Sequence, residues 1–134
     1  LDEIEKTMQI NFLSIWQLCR LSWKNLSLSK NGRIIAIVSM SGKRSKGDLA
    51  AYSCSKFALM GLCQTMRNIG WEKGIRVTAI CPSWVNTKMA KDVKSIDKDD
   101  MTQPEDIGEI CSTILKLPKN SVPFELAINC NLEV

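Results

Sequence analysis

The sequence predicts an α/β fold in which helices cover both faces of a doubly wound, open parallel sheet. Helix-like and strand-like segments alternate along the 134 residues and give three parallel strands with flanking helices. The strand-like runs are apolar and rich in β-branched residues, which is typical of strands buried between helix layers. Right-handed crossovers join such strands. Because no linker or internal repeat interrupts the pattern, residues 1–134 are predicted to form a single domain.

The first helix and strand follow from the spacing of apolar residues. Recurrence at intervals of three and four predicts a helix over residues 1–28. Its inward stripe comprises Ile4, Met8, Asn11, Ile15 and Leu18 or Cys19. Asn31 and Gly32 break the helical pattern, and the apolar run at 33–38 predicts a strand buried on both faces.

The second helix and strand follow the same rules. Periodicity predicts a helix over residues 51–72, and Gly70 and Gly74 mark its end. The apolar side of this helix comprises Ala58, Leu62, Thr65 and Ile69. The run at 75–80 predicts a second strand, which Pro82 stops.

The last helix and strand begin beyond a charged segment. Thr102 and Glu105 form a capping-box signature, with threonine as N-cap and glutamate at N3, which opens a helix to about residue 117. The run at 124–128 predicts the last strand. In an open sheet of this kind a ligand crevice lies at the carboxyl ends of the strands.

Composition excludes several kinds of site and partner. The chain has no histidine, so Ser-His-Asp triads, Cys-His pairs and histidine-containing zinc sites cannot form within it. No metal site is predicted, and any general acid or base must be Tyr, Lys, Cys, Asp or Glu. The net charge of +4 is small and scattered, so no nucleic-acid partner is expected.

One local concentration of positive charge follows the first predicted strand. Lys43, Arg44 and Lys46 lie close together in a polar, glycine-containing segment. They fit either a solvated loop or a contact with an anionic group of a substrate, and the sequence leaves both interpretations open.

Cysteine usage indicates a compartment. The six cysteines show neither a CxxC pair nor zinc-ribbon spacing, and most of them sit among apolar residues. Such thiols pack in the reduced form as small hydrophobes, so a cytoplasmic location is expected. No segment approaches 18 consecutive apolar residues, so no membrane association is predicted.

Three polar residues gather at the predicted strand ends. Ser39 ends the first strand, Tyr52 opens the following helix, and Lys56 lies one turn further along. At i and i+4, Tyr52 and Lys56 share one helix face with Cβ atoms about 5–6 Å apart. A nearby ammonium favours the phenolate, so we expect Tyr52 to exchange a proton while Ser39 steadies an oxygen. The set suits the interconversion of a carbonyl and an alcohol.

The sequence around these residues matches a known family. Blocks in the family's order resemble the C-terminal half of the short-chain dehydrogenase/reductase family, in particular its 3-oxoacyl-[acyl-carrier-protein] reductase type. The blocks are residues 8–12, 32–39, 51–56, 74–82, 85–87 and 104–107. The resemblance implies the C-terminal half of a Rossmann-like fold. Residues 1–134 are thus expected to be a partial, catalytic domain without the N-terminal dinucleotide-binding half.

The resemblance also implies NAD or NADP as cofactor and a role for each catalytic residue. Tyr52 is the general acid/base, and Lys56 lowers its pKa and hydrogen-bonds the nicotinamide ribose. Ser39 orients the substrate carbonyl, and Asn11 holds a water in a proton relay.

The nicotinamide pocket is implied in the same way. Pro82, Val85 and Thr87 line it, and Thr87 and the backbone of Val85 meet the carboxamide. Ser83 stands where the family usually has glycine. The approach of the backbone to the nicotinamide is therefore expected to differ at that position.

Two function hypotheses stay open. In the first, the chain is the catalytic half of an NAD(P)-dependent oxidoreductase acting on a small-molecule carbonyl or alcohol, and the isolated 134 residues are inactive. In the second, it is a catalytically silent self-association module. The resemblance implies that helices 1–28 and 51–72 pair in homo-oligomers, and large apolar residues on an outer face mark a partner surface. Those residues are Trp16, Trp23, Phe57, Leu59 and Met60.

Overall fold

Helices pack against a small sheet in the computed structural model, which describes residues 2–45, 47 and 49–130. The strands are β1 (Arg33–Ile37), β2 (Arg76–Pro82) and β3 (Glu125–Ile128). The helices are α1 (Asp2–Met8), α2 (Ser14–Leu28), α3 (Ala50–Gly70) and α4 (Pro104–Lys116), and a π-helical turn at Gln9–Leu13 joins α1 to α2. Single 3₁₀ turns occupy Met40–Gly42, Trp71–Lys73, Lys88–Ala90 and Lys98–Asp100.

The three strands form one parallel sheet in the order β1-β2-β3. Ile80 of the central strand lies opposite Ile37 on one side and Leu126 on the other. The helix α3 connects β1 to β2, and α4 connects β2 to β3, as parallel pairing requires. The predicted α/β class with three parallel strands is confirmed.

The hydrophobic core lies between β2 and α3. Strand β2 is buried from residue 77 to residue 82, and Leu59 and Ile75 are fully buried beside it. A side chain of this size contributes about 1.5–3 kcal/mol when it leaves water. The core thus fixes α3 against the central strand.

The inward side of α3 differs from the predicted one. Of the predicted stripe only Leu62 is buried, whereas Thr65 and Ile69 are exposed. The residues buried on α3 are Ser53, Ser55, Leu59, Met60, Leu62, Cys63, Met66 and Gly70. The helix carries apolar residues on two sides, and the side with Leu59 and Cys63 packs with β2 in one cluster.

Strand β1 is less buried than predicted. It ends at Ile37, and that side chain is 45% exposed. Side chains alternate between the faces of a strand, so Ala36 and Val38 point towards the core cluster and Ile37 points to the opposite face. The prediction of a strand buried on both faces is therefore wrong.

The predicted helix at 1–28 is interrupted. The π turn at Gln9–Leu13 lies inside it, and Leu1 falls outside the described residues. A π turn adds about one residue to a helical turn, which changes the phase of the residues that follow. The predicted stripe is wrong at Ile4, which is exposed, whereas of the two alternatives Leu18 and Cys19 it is Cys19 that packs against the core. The residues that pack on the core are Phe12, Ile15, Cys19, Trp23 and Leu26.

The large apolar residues suggested for self-association divide into two groups. Leu59 and Met60 are buried, and Trp23 packs against the core, so these three are not part of an outer face. Trp16 and Phe57 are 50% and 46% exposed. Across the described residues, no helix combines the length and the apolarity needed to cross a bilayer.

The end of α3 depends on a glycine. The helix stops at residue 70, two residues before the predicted end, and a 3₁₀ turn leads to Gly74. Gly74 has φ +76°, and a Cβ there would lie 2.8 Å from the Lys30 carbonyl oxygen. Glycine is required at this position because both the backbone conformation and the close approach exclude a side chain.

The start of α4 is shifted by one residue from the predicted capping box. Gln103 is the N-cap, and its backbone N–H donates to the Asp106 carboxylate at 2.9 Å. The prediction of Thr102 and Glu105 is wrong because Pro104 occupies the first helical position, where its fixed φ is favourable. Thr102 instead forms a parallel bridge with Val85.

Candidate active site

The candidate site residues lie where β1 and β2 reach the same edge of the sheet. Ser39 follows β1 by two residues, Pro82 ends β2, and Tyr52 and Lys56 lie in the first two turns of α3. Parallel strands bring their carboxyl ends to one edge, and α3 begins at that edge. The fold therefore brings these residues to the same edge of the sheet, and of the four only Tyr52 lines the cavity described below.

Lys56 is fixed beside the Tyr52 phenol by the end of β1. Its Nζ donates a hydrogen bond to the Ile37 carbonyl oxygen at 3.1 Å and lies 5.6 Å from the centre of the Tyr52 ring. Burial lowers the pKa of Lys56 below 10.5, and the nearby Cys81 opposes this shift. An ammonium has three protons. Two of them have no acceptor within the described part of the chain and are available to a ligand.

The backbone at Ser39 is strained. Its φ of 151° and ψ of 159° fall in a region that is almost restricted to glycine and costs about 1–3 kcal/mol. The Gly42 N–H donates to the Ser39 carbonyl at 3.0 Å, and the Ser41 N–H donates to the Ser39 hydroxyl oxygen at 3.0 Å. The hydroxyl proton of Ser39 has no acceptor among residues 2–45, 47 and 49–130, so it can be donated to a ligand.

Asn11 lies in the π turn and is linked to α3 through a buried serine. Its amide Nδ2 donates to the Ser55 hydroxyl oxygen at 3.1 Å. The Ser55 hydroxyl in turn donates to the Tyr52 backbone carbonyl at 2.7 Å. Single π turns are frequent at functional sites. The two hydrogen bonds connect Asn11 to the helical turn that carries Tyr52.

The three residues expected to line a nicotinamide pocket occupy the end of β2 and the segment beyond it. Pro82 is buried, and Val85 is half-buried. Thr87 is exposed at the N-cap of the 3₁₀ turn Lys88–Ala90. We refer to residues 82–87 as the post-β2 segment.

The post-β2 segment is held by the residues that precede α4. The Thr102 N–H donates to the Trp84 carbonyl at 3.1 Å, and the Asn86 N–H donates to the Thr102 carbonyl at 2.9 Å. The Asn86 side-chain Nδ2 donates to Gln103 Oε1 at 3.0 Å. The segment is therefore positioned mainly by backbone hydrogen bonds.

A cavity of about 620 Å³ opens between α1 and the start of α3. Its wall includes both Tyr52 and Asn11. The wall also includes the apolar residues Ile4, Ile10, Leu49 and Met89 and the charged residues Glu3 and Lys6. The volume is within the usual range of small-molecule sites.

The charged residues near the site are partly neutralised. Lys43 forms an ion pair with Glu125 of β3, and Arg44 is exposed. This arrangement favours the solvated-loop interpretation for the first two residues of the basic group, and Lys46 lies outside the described residues. No group of three His, Cys, Asp or Glu side chains within the described ranges is placed to hold a metal ion.

Sequence reasoning missed three groups that hold the site together. These are the Ile37 carbonyl, the Ser55 hydroxyl and Cys81. Burial raises the pKa of the Cys81 thiol, and a hydrogen bond from the Ser39 backbone partly opposes this. Ser55 could have been found as a polar residue on the same helix side as Leu59 and Leu62, whereas nothing in the sequence points to the Ile37 carbonyl.

The fold and the site together define an α/β protein with acid–base groups at the ligand-binding edge of a parallel sheet. Comparison with known proteins identifies its family. The family model for short chain dehydrogenases matches residues 1–98. The chain belongs to the short chain dehydrogenase family, which confirms the resemblance found in the sequence.

Individual relatives are similar over most of this chain. Agropine synthesis reductase from Rhizobium rhizogenes is 30% identical over 131 residues, which are 98% of this chain and 30% of that protein. A solved betaketoacyl-[ACP] reductase from Bacteroides thetaiotaomicron is 30% identical, with a TM-score of 0.79 over 96% of this chain and 53% of that one.

A solved 4-hydroxyisoleucine dehydrogenase complexed with NADH is 28% identical, with a TM-score of 0.82 over 98% of this chain and 60% of that one. The chain spans at most 60% of the length of any of these three proteins. The structural matches confirm the predicted Rossmann-like sheet.

Proposed function

We propose that this chain supplies the proton-transfer site of an NAD(P)-dependent oxidoreductase that interconverts a carbonyl and an alcohol. The observation that carries the proposal is the position of Lys56 Nζ, 3.1 Å from the Ile37 carbonyl oxygen and 5.6 Å from the centre of the Tyr52 ring. A phenol beside a fixed ammonium is suited to donate and accept a proton. Membership in a family of dehydrogenases supports the assignment as an enzyme.

The residues at the sheet edge fit a nicotinamide dinucleotide. When bound, this cofactor supplies or accepts the hydride. The two protons of Lys56 that lack described acceptors suit the ribose hydroxyls. The residues assigned to the nicotinamide are Pro82, Val85 and Thr87. The NADH complex of the related 4-hydroxyisoleucine dehydrogenase supports a nicotinamide dinucleotide as the cofactor.

Residues of this chain bind the substrate oxygen and transfer its proton. In the reducing direction Tyr52 gives its phenolic proton to that oxygen as the carbonyl carbon gains hydride, and the product is an alcohol. Ser39 donates a hydrogen bond to the same oxygen, and Lys56 stabilises the phenolate that remains. Asn11 holds the water that returns a proton to Tyr52. The oxidising direction runs through the same groups in reverse.

The test uses the protein as its gene encodes it, with NADH or NADPH and their oxidised forms. The substrate panel contains a β-ketoacyl thioester, 4-hydroxyisoleucine and simple ketones, since relatives are named for such compounds. Tyr52→Phe is expected to lower kcat by at least about a hundredfold, the usual scale of general acid–base catalysis. Its dinucleotide Kd and thermal unfolding are expected to stay close to those of the wild type.

The result can contradict the proposal in two ways. Turnover of Tyr52→Phe within a few-fold of the wild type would remove Tyr52 from the mechanism. Absence of dinucleotide-dependent turnover by the wild type on every carbonyl and alcohol tested would remove the oxidoreductase assignment.

A second candidate function, catalytically silent self-association, is favoured by exposed apolar side chains on α2 and α3. Trp16, Leu21 and Phe57 are 50%, 71% and 46% exposed. Large apolar side chains on an outer helix face are typical of partner surfaces. We propose that the chain forms homo-oligomers through helices 1–28 and 51–72. Light scattering that shows only monomers at high concentration would contradict this.

An assay of the 134 residues by themselves tests the silent alternative, whereas turnover of the gene-encoded protein separates the two candidate functions. We expect no turnover from the 134 residues alone, because the resemblance assigns most dinucleotide contacts to a half that precedes these residues. Dinucleotide-dependent turnover by the isolated 134 residues would overturn this expectation and exclude the silent alternative.

The cysteines support a reducing, cytoplasmic location, which is part of the same proposal. Cys19, Cys54, Cys63, Cys81 and Cys111 are free thiols in the structure. Oxidising compartments favour disulfides instead. Cell fractionation that recovers the protein from a secreted or periplasmic fraction would contradict this location.

A further inference from the structure

Ser55 is a fully buried hydroxyl that joins two elements of the candidate site. Its exposed fraction is 0%. It receives a hydrogen bond from Asn11 Nδ2 at 3.1 Å and donates one to the Tyr52 carbonyl at 2.7 Å. A buried hydroxyl that satisfies both its donor and its acceptor capacity in this way is costly to remove, because the partner groups remain buried and unpaired.

The two bonds of Ser55 determine how the Asn11 amide is oriented. A hydroxyl has one proton, and Ser55 commits it to the Tyr52 carbonyl. The Ser55 oxygen can therefore act only as an acceptor towards Asn11. The amide must present its NH₂ group to Ser55, and its oxygen is then the group that can accept a hydrogen bond from elsewhere. Ser55 thus determines which end of the Asn11 side-chain amide, the oxygen, remains available as a hydrogen-bond acceptor.

A second serine on the same helix provides a contrast. Ser53 is 3% exposed, close to Ser55 in burial and two residues away in sequence. Its hydroxyl has no hydrogen-bond partner among the residues described. The two serines therefore match in burial, volume and helix, and they differ in their contacts. Loss of the Ser53 hydroxyl removes no link between elements.

We propose that Ser55 is a positioning residue that orients the Asn11 amide and holds the π turn at a fixed distance from the turn of α3 that carries Tyr52. This rests on the proposed function, in which Asn11 takes part in the return of a proton to Tyr52. Ser55 acts through Asn11 and the backbone of Tyr52 and does not itself reach the substrate.

The test compares Ser55→Ala with Ser53→Ala in the protein as its gene encodes it. Ser55→Ala is expected to lower kcat about tenfold and to change KM less than about twofold, the scale of one lost buried hydrogen bond. Ser53→Ala is expected to stay within about twofold of the wild type in both constants. Ser55→Cys, which keeps the volume but hydrogen-bonds weakly, is expected to follow Ser55→Ala and serves if the alanine variant does not fold.

A double-mutant cycle separates positioning from a general structural effect. If Ser55 acts through Asn11, Ser55→Ala added to Asn11→Ala is expected to change kcat by less than about twofold further. Ser55→Thr retains the hydroxyl and is expected to restore most of the lost kcat. Full additivity of the two alanine substitutions would contradict the proposal.

A substrate-free measurement keeps this proposal distinct from the proposed function. The side-chain amide signals of Asn11 in a ¹⁵N NMR spectrum, assigned by their loss in Asn11→Ala, are expected to shift in Ser55→Ala and not in Ser53→Ala. Unchanged Asn11 signals in Ser55→Ala would overturn the proposal. Equal kcat values for Ser55→Ala and Ser53→Ala, with Tyr52→Phe inactive, would overturn it and leave the proposed function intact. Activity of Tyr52→Phe would overturn the proposed function and the kinetic effect expected from Ser55, while the NMR measurement would still test whether Ser55 orients the Asn11 amide.

Discussion

The two sides of the candidate site are held by different kinds of contact. Around Tyr52, side chains make the connections, from Asn11 to Ser55, from Ser55 to the Tyr52 backbone and from Lys56 to the end of β1. The post-β2 segment is positioned mainly through its backbone, by the residues that precede α4.

This difference indicates which side of the candidate site depends on the identity of its side chains. In the proposed mechanism the side-chain links hold the groups that exchange the proton, so we expect a change to any one of them to affect Tyr52. Backbone bonds place the post-β2 segment while leaving its side chains, Thr87 among them, free to vary with the ligand. Substitutions should therefore affect turnover on the first side and ligand affinity on the second.

The largest expected effect is on the side held by side chains. Lys56→Met is expected to lower kcat by about a hundredfold or more, because the phenolate loses its ammonium partner. Lys24→Met removes an exposed ammonium from α2 and is the matched control. Steady-state kinetics on the gene-encoded protein measure both. Equal kcat values for Lys56→Met and Lys24→Met would contradict the dependence of turnover on the side-chain contacts around Tyr52.

A smaller effect is expected on the post-β2 segment. Asn86→Ala removes the hydrogen bond to Gln103 Oε1 and is expected to raise the dinucleotide KM about fivefold, with kcat changed less than about twofold. Asn68→Ala, at an exposed position on α3, is the control. A fall in kcat without a change in KM would show that this segment is coupled to proton transfer.

The smallest effect is the pH dependence of stability, which measures the cost of holding Lys56 in place. Burial lowers the pKa of Lys56 below 10.5. Between the lowered pKa and 10.5, the native state has released the proton and the unfolded state still holds it. Unfolding then takes up a proton, so native stability rises with pH across this window.

We expect the free energy of unfolding of the wild type, relative to Lys56→Met, to increase with pH as 10.5 is approached from below. Urea unfolding at several alkaline pH values gives this difference, in which the titrations of groups that do not interact with Lys56 cancel. If the difference in free energy of unfolding stays constant with pH, burial of the Lys56 ammonium carries no desolvation cost.

The parts of the fold that the sequence predicts are those with a strong local signal. The three apolar runs predict the parallel strands because few other residues intervene in them. The i and i+4 spacing predicts that Tyr52 and Lys56 share a helix face, and the structure has Lys56 Nζ 5.6 Å from the ring centre. Gly74 is predicted as a helix end because glycine alone tolerates the backbone found there.

The parts that the sequence does not predict depend on contacts between distant segments or on shifts of one residue. The π turn covers only Gln9–Leu13, which is too short a stretch for a periodic pattern to indicate it. On α3 two apolar sides compete, and only packing with β2 decides between them. Thr102 has the chemistry of an N-cap, but its backbone is used by the post-β2 segment. Lys43 and Glu125 are separated by 82 residues.

Strand β1 has a consequence for how this polypeptide behaves in solution. Within the described residues it pairs with β2 along one side, and the other side presents a row of backbone N–H and C=O groups. Such a row is a template for a further strand from another chain, and the exposed Ile37 side chain adds apolar surface to that edge. Samples of these residues handled without a covering strand will therefore be limited by aggregation at β1, and a peptide that adds a strand there should improve their solubility.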